Sequence, residues 1–81
     1  MHLTITFYSY FKDLAGCART TETLPAGGTI EDLLRKLSAR FPRLSAMQKS
    51  ALAAVGVDYQ PHNHVLTEGD EVSLFPPVQG G

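Results

Sequence analysis

Residues 29–41, "TIEDLLRKLSARF", predict the one convincing helix of the chain. Thr29 stands three residues before Asp32, which is the spacing of a capping box, where a hydroxyl and a carboxylate each accept a hydrogen bond from a backbone N–H group. Pro42 then ends the helix, because the residue before a proline disfavours helical geometry. Apolar residues recur between these signals at helical spacing, namely Ile30, Leu33, Leu34, Leu37 and Phe41.

Two strands are predicted before this helix. Residues 2–8 alternate apolar and polar side chains, which is typical of a half-buried strand. Residues 18–24, "ARTTETL", have the threonine-rich character of a second strand that pairs back on the first as an antiparallel ribbon. Between them, "YFKDLAG" at residues 10–16 predicts a turn of helix or a loop, with Gly16 as a left-handed cap.

Two further strands are predicted after the helix. Residues 45–52, "SAMQKSAL", indicate a short helical turn, and residues 52–59, "LAAVGVDY", indicate a third strand. Turn-forming residues follow, and residues 71–75, "EVSLF", form the last strand.

The order of these elements predicts an α+β fold. A right-handed crossover places the main helix on one face of a mixed sheet, with the final strand parallel beside the first. This is the ubiquitin-like β-grasp arrangement, and it leaves the other sheet face open. We expect one β-grasp domain at residues 1–77 and a flexible C-terminal tail at residues 78–81.

Composition narrows the classes of function. A chain of 81 residues with a formal net charge of −1 and no basic run is a poor candidate for nucleic-acid binding, which needs clustered Lys and Arg. Cys17 is the only cysteine, so an internal disulfide is excluded and a cytoplasmic protein is expected. No apolar stretch approaches the roughly 20 residues that span a bilayer, so no membrane contact is expected.

The last seven residues, "FPPVQGG", indicate a chemical role for the terminus. Pro76 and Pro77 lack backbone donors, so the chain must leave the sheet after Phe75. Gly80 and Gly81 have no Cβ atoms and are narrow enough to enter a channel in another protein. The terminal carboxylate could then be activated by ATP, but the chain has no GxxxxGK[ST] loop and is expected to bind no cofactor itself.

Four motifs together carry a family resemblance: "FKDLAG", "PAGGTIEDLLRKL", "LAAV" and "LTEGDEVSLFPPVQGG". Over nearly its whole length the chain resembles the MoaD/ThiS family of ubiquitin-like sulfur carriers. The resemblance implies two partners, an E1-like adenylating enzyme that uses ATP and the large subunit of molybdopterin synthase. The terminal glycine would be adenylated, converted to a thiocarboxylate and inserted into the large subunit to sulfurate a pterin precursor in molybdenum cofactor biosynthesis.

Carried over to this sequence, the resemblance assigns roles to the tail. Gly81 would bear the sulfur and Gly80 would be its flexible neighbour. The chain would leave the sheet in a direction set by Phe75, Pro76 and Pro77, and the partner would bind the tail through Val78 and Gln79 as well. Two positions depart from the family pattern: Gln79 stands where a small residue is usual, and Gly56 stands where Asn is common.

Other functions of the same terminus remain open. A carrier for another pathway, such as thiamine thiazole formation, or a ubiquitin-like protein modifier would use the same activated carboxylate of Gly81. A β-grasp binding module with an inert tail is a third possibility.

Strand parity predicts a partner-binding surface. If Leu3, Ile5 and Phe7 face the helix, Tyr8 faces away from it, and by the same alternation Phe75 faces away on the neighbouring strand. Large exposed rings are enriched at binding hot spots. The resemblance implies that partners bind through this face, with Tyr59 as a third member.

Three further sets of polar residues are candidates for chemistry. Cys17 is interpreted as a spectator thiol. His62 and His64 have no third ligand beside them, so a polar turn is expected rather than a metal site. The acidic cluster Glu68, Asp70 and Glu71 fits either a solvated turn or a contact with a basic groove on the adenylating enzyme.

Overall fold

The computed structural model describes residues 1–77, which form one mixed sheet packed against a long helix. The elements are β1 (His2–Phe7), α1 (Phe11–Ala15), β2 (Arg19–Thr23), α2 (Ile30–Arg40), a 3₁₀ helix (Pro42–Met47), β3 (Leu52–Val55), β4 (Asp58–Gln60) and β5 (Glu71–Phe75). The strand order is β2-β1-β5-β3-β4, with β1 and β5 parallel and the other neighbours antiparallel. No helix within the described range is long and apolar enough to cross a membrane.

Helix α2 begins at the predicted capping box. The Thr29 hydroxyl accepts a hydrogen bond from the Asp32 N–H group at 3.2 Å, and the Asp32 carboxylate accepts one from the Thr29 N–H group at 3.0 Å. The Thr29 N–H group thereby holds the pKa of Asp32 below its usual value. The next two N–H groups of the helix, on Ile30 and Glu31, donate to carbonyl oxygens of the loop at residues 62–64. The helix start is therefore fully satisfied by the chain itself.

The core lies between α2 and the two central strands. The predicted alternation of β1 is confirmed, because its odd-numbered side chains are buried against the helix. Burial of each such apolar side chain contributes about 1.5–3 kcal/mol. The central buried residues are Leu3, Ile5 and Phe7 of β1, Val72 and Leu74 of β5, and Ile30, Leu33 and Leu37 of α2.

The prediction of a single strand at residues 52–59 is wrong. Gly56 has a φ of 62°, in the left-handed region that glycine occupies readily, and with Val57 it forms a two-residue hairpin turn between β3 and β4. The predicted helical turn at residues 45–52 is also displaced. It is a 3₁₀ helix that begins at Pro42, directly after α2, because proline suits the first position of a helix.

Strand β2 forms one edge of the sheet, and side chains of α2 cover that edge. The Lys36 ammonium donates to the Thr23 carbonyl at 2.6 Å, and the Arg40 guanidinium donates to the Thr21 carbonyl at 2.9 Å. The same two cations form ion pairs with Glu22, whose side chain is only 9% exposed. Burial acts to raise the pKa of Glu22, but hydrogen bonds from Arg40, the Thr23 N–H group and Lys36 outweigh it, so the pKa lies below its usual value.

We expect Glu22→Gln to lower the free energy of unfolding at neutral pH, because the amide loses both ion pairs. A carboxyl with a lowered folded-state pKa stabilises the fold above its unfolded pKa of about 4.3, and that contribution is lost as the pH falls through the folded value. The difference between wild type and variant, measured by urea unfolding, should therefore shrink as the pH falls below about 4.3. Glu31→Gln, at an exposed ion pair with Arg35, is the control. A difference that stays constant with pH would contradict this.

Candidate functional site

Three aromatic side chains meet on the sheet face that α2 leaves open. The Tyr8 N–H group donates to the Leu74 carbonyl at 3.0 Å, which extends the parallel pairing of β1 and β5 and places Tyr8 beside Phe75. The two rings stack with centroids 4.6 Å apart at 13°. Tyr59 joins from β4, with its ring centroid 5.8 Å from that of Phe75. The predicted grouping of these residues, called here the aromatic surface, is confirmed.

The aromatic surface is accessible to a partner. Tyr8 is 42% exposed and Tyr59 is 66% exposed, while Phe75 lies half-buried between them. Exposed large rings lose unfavourable contact with water when another protein covers them, and such residues dominate the binding energy of many interfaces. The geometry therefore favours protein binding at this face.

Leu52 and Ala54 also lie on this face, which was not predicted from the sequence. In the pairing of β3 with β5, Leu52 lies opposite Phe75 and Ala54 lies opposite Ser73. In the pairing of β3 with β4, Ala54 lies opposite Tyr59. Their side chains therefore share the face of the aromatic surface. The alternation of β3 places the two side chains on one face, but only the register with β5 shows that this is the face of Phe75.

The rest of the open face is polar. Thr6 pairs with Ser73 and Thr4 pairs with Glu71 across the central strands, and Glu71 forms an exposed ion pair with Arg19 at 3.6 Å. Apolar surface is thus confined to the end of the sheet where β5 finishes. Whatever binds the aromatic surface also lies next to the chain that follows Phe75.

Pro76 and Pro77 follow β5 and are half-buried, and β5 ends before them as predicted. The predicted roles of Val78, Gln79, Gly80 and Gly81 concern positions that lie outside the described residues, and they stay predictions. The described part of the candidate site is therefore the surface beside the tail, without the reacting group.

The two histidines serve the fold. His62 Nε2 lies 2.7 Å from the Ala51 carbonyl oxygen, which can only accept, so the ring nitrogen donates. The backbone carbonyls of His62 and His64 receive the N–H groups of α2. Within residues 1–77, no three His, Cys, Asp or Glu side chains form a group that could hold a metal ion. Cys17 is half-buried and packs against the core.

The acidic cluster lies at the other end of β5. Glu68 accepts a hydrogen bond from the His2 N–H group at 3.0 Å, which lowers the pKa of its carboxyl. Asp70 accepts hydrogen bonds from the N–H group and the hydroxyl of Thr67. Each carboxylate of the cluster, Glu71 included, has a partner within the chain, and the alternative contact with a basic groove on the adenylating enzyme stays a prediction.

The chain matches known sequences over almost its full length. A family model described as the ThiS family matches residues 5–81. The chain is 35% identical over 79 residues to a molybdopterin synthase sulfur carrier subunit from Escherichia coli (strain K12), with 95% of this chain and 96% of that protein covered. It is 31% identical over 83 residues to a protein of the same name from Chlamydomonas reinhardtii, and both are covered in full.

Solved structures share the fold. The small archaeal modifier protein 1 from Haloferax volcanii gives a TM-score of 0.85 at 20% identity, with 95% of this chain and 98% of that chain covered. A chain of the complex of subunits 1 and 2 of the molybdopterin-converting factor from Helicobacter pylori gives a TM-score of 0.67 at 21% identity, with both chains covered in full. The predicted ubiquitin-like β-grasp is confirmed.

The fold should not need the aromatic surface. We expect Tyr59→Ser to change the free energy of unfolding by less than about 1 kcal/mol, because the side chain is largely exposed. Leu74→Ala, one residue before Phe75 but facing the core, should cost about 2–5 kcal/mol through the cavity that it leaves. Chemical denaturation of both variants measures this. Equal losses would show that the aromatic surface is part of the folding core.

Proposed function

Because the chain belongs to the ThiS family, we propose that it is the sulfur carrier subunit of molybdopterin synthase. The observation that carries the proposal is the position of the aromatic surface, at the end of the strand that precedes the Gly80-Gly81 terminus. This arrangement supports a protein that is held by its sheet face while its terminus enters a partner. The end-to-end similarity to named sulfur carrier subunits supports the same role.

The chemistry would take place on the carboxylate of Gly81. A carboxylate is a poor electrophile, so its oxygen first attacks the α-phosphorus of ATP and pyrophosphate leaves, which gives an acyl adenylate. Hydrosulfide, or a donor that supplies it, then attacks the carbonyl carbon and AMP leaves. The product is a thiocarboxylate, whose sulfur is a better nucleophile than the oxygen that it replaces, and this sulfur is delivered to the pterin precursor.

Two partners are needed for this cycle. The chain contains no phosphate-binding loop, so an E1-like adenylating enzyme would bind ATP and activate Gly81. The molybdopterin synthase large subunit would bind the pterin precursor and receive the tail. We place all three proteins in the cytoplasm, where ATP is available and the single thiol Cys17 stays reduced.

The large subunit is the better supported partner. The Helicobacter pylori structure is a complex between subunits 1 and 2 of a molybdopterin-converting factor, and one of its chains shares this fold. The aromatic surface of Tyr8, Tyr59 and Phe75 offers such a partner a set of large rings at the base of the tail. A single surface beside the terminus would serve the adenylating enzyme and the large subunit in turn.

A protein modifier is the second candidate. The likeness to a small archaeal modifier protein favours it, since the same activated Gly81 would then be attacked by a lysine amine. The sequence relatives named as sulfur carrier subunits have higher identity and favour sulfur transfer. Attachment of the chain to lysines of target proteins, detected as an increase in their mass, would identify a modifier. A sulfur atom on Gly81 would identify a sulfur carrier.

Phe75→Ala should weaken binding of the large subunit by about 2 kcal/mol or more, because Phe75 lies at the centre of the aromatic surface. Isothermal titration calorimetry with the folded variant measures the loss. Val65→Ala removes an exposed apolar side chain elsewhere and is the control. Unchanged affinity of the Phe75 variant would contradict the proposed docking face.

Incubation with ATP, sulfide and the adenylating enzyme should raise the mass of the chain by one oxygen-to-sulfur exchange at Gly81. Deletion of Gly81, or addition of one residue after it, should abolish sulfur transfer without unfolding the domain. The reason is the length of the tail, because it must bring the reacting atom of Gly81 within about 3–3.5 Å of its target. Intact-mass spectrometry and a sulfur-transfer assay test both statements. A lengthened tail that transfers sulfur at the normal rate would overturn this role of the terminus.

A further inference from the structure

The two edges of the sheet differ in how their backbone groups are covered. At the β2 edge, Lys36 and Arg40 of α2 donate to the outward carbonyls of Thr23 and Thr21. At the β4 edge, no side chain of the described residues hydrogen-bonds to the backbone of Asp58–Gln60. An uncovered edge strand is a template for pairing with another chain.

The register shows which groups of β4 point outward. Gly56 donates to the Glu71 carbonyl at 3.0 Å, so the even-numbered residues of β3 bond to β5 and the odd-numbered ones bond to β4. Their partners on β4 are Asp58 and Gln60, which therefore turn their backbone groups inward. The N–H and carbonyl groups of Tyr59 point away from the sheet.

An apolar groove lies directly beside this edge. Its volume is about 570 Å³, and it is lined by the small side chains Ala51 and Ala53 together with Tyr59, Gln60 and His62. Val57 is 94% exposed and Tyr59 is 66% exposed, and these are the two most exposed large apolar side chains among the described residues. The edge thus combines backbone groups that no residue of 1–77 covers with exposed apolar side chains and an adjacent groove.

We propose that the β4 edge receives an extended segment of the large subunit. The segment pairs with the N–H and carbonyl groups of Tyr59 and places one apolar side chain in the groove, which is how strand addition combines backbone bonds with side-chain pockets. Pro61 lacks an N–H group, so the pairing ends before it. The inference rests on the proposed function, because it extends the surface through which the large subunit binds.

The β4 edge is continuous with the aromatic surface, and this continuity favours the large subunit as the protein that pairs with the edge. Tyr59 presents its ring to the open face and its backbone to the edge, so a protein that covers Phe75 and Tyr59 reaches the edge without a gap. A second copy of this chain is a poorer occupant. Pairing limited to residues 57–59 buries far less than the roughly 1,200 Å² of a stable interface.

An amide-to-ester substitution at Tyr59 tests the proposal. Chemical synthesis of the full chain can replace Tyr59 by its α-hydroxy acid analogue, which removes the outward N–H group and keeps the side chain. The matched control is the same substitution at Thr21, whose N–H group also points outward but at the covered edge. Each ester also weakens one inward carbonyl, that of Asp58 or that of Thr20, so the fold of both variants is checked by chemical denaturation.

The affinity of each chain for the large subunit from the same organism is then measured by calorimetry. The Tyr59 ester should bind about three- to tenfold more weakly than wild type, the value of one net hydrogen bond, while the Thr21 ester stays within about twofold. The Tyr59 amide of the wild type should also become protected from hydrogen exchange in the complex.

Each other result has a definite meaning. Equal affinity of the two esters, or a Tyr59 amide that exchanges freely in the complex, overturns the edge pairing. A Tyr59 ester that changes only the self-association of the isolated chain assigns the edge to a second copy and also overturns the proposal. Failure of wild type to bind the large subunit refutes the proposed function itself and is distinguishable, because no ester is involved.

Discussion

The parallel pairing of β1 with β5 is the constraint on which the structure depends. It brings the first and last strands of the chain together at the centre of the sheet, where their buried side chains share one core with α2. The same pairing continues through the Tyr8 N–H group and sets Tyr8 against Phe75. One set of hydrogen bonds therefore builds the core and places the aromatic surface next to the position from which the C-terminal residues continue.

Local signals in the sequence were sufficient for most of the fold. The capping box at Thr29 and Asp32, the stop at Pro42 and the alternation along β1 each depend on residues within a few positions of one another, and each is found as predicted. The hairpin at Gly56 was missed for the same reason. Residues 52–59 look like one continuous strand in the sequence, whereas the positive φ of Gly56 and the antiparallel pairing of β3 with β4 show that the chain reverses there.

The residues of the candidate site also differ in whether local sequence patterns could predict them. Parity within β1 and β5 was enough to place Tyr8 and Phe75 on one face, since each strand carries its own alternation. Leu52 and Ala54 depend on the register between β3 and β5, which is a non-local property that sequence alone does not contain. The exposure of the β4 edge is also non-local, because it depends on the strand order and on which side chains of the folded chain reach that edge. The role of Gly81 is inferred from the sequence and its relatives. The structure of the sheet shows only the surface beside the C-terminal residues.

The cover that Lys36 and Arg40 give to β2 also limits how copies of this chain can assemble. A cross-β filament grows only if every copy offers two open edges, one for the copy above and one for the copy below. With one edge closed by ionic side chains, any strand added at β4 ends the growth at the next molecule. The covered β2 edge therefore limits edge-to-edge pairing of copies to two molecules joined through their β4 strands. The aromatic surface can stay exposed without leading to a filament, because repeated stacking has no second edge on which to proceed.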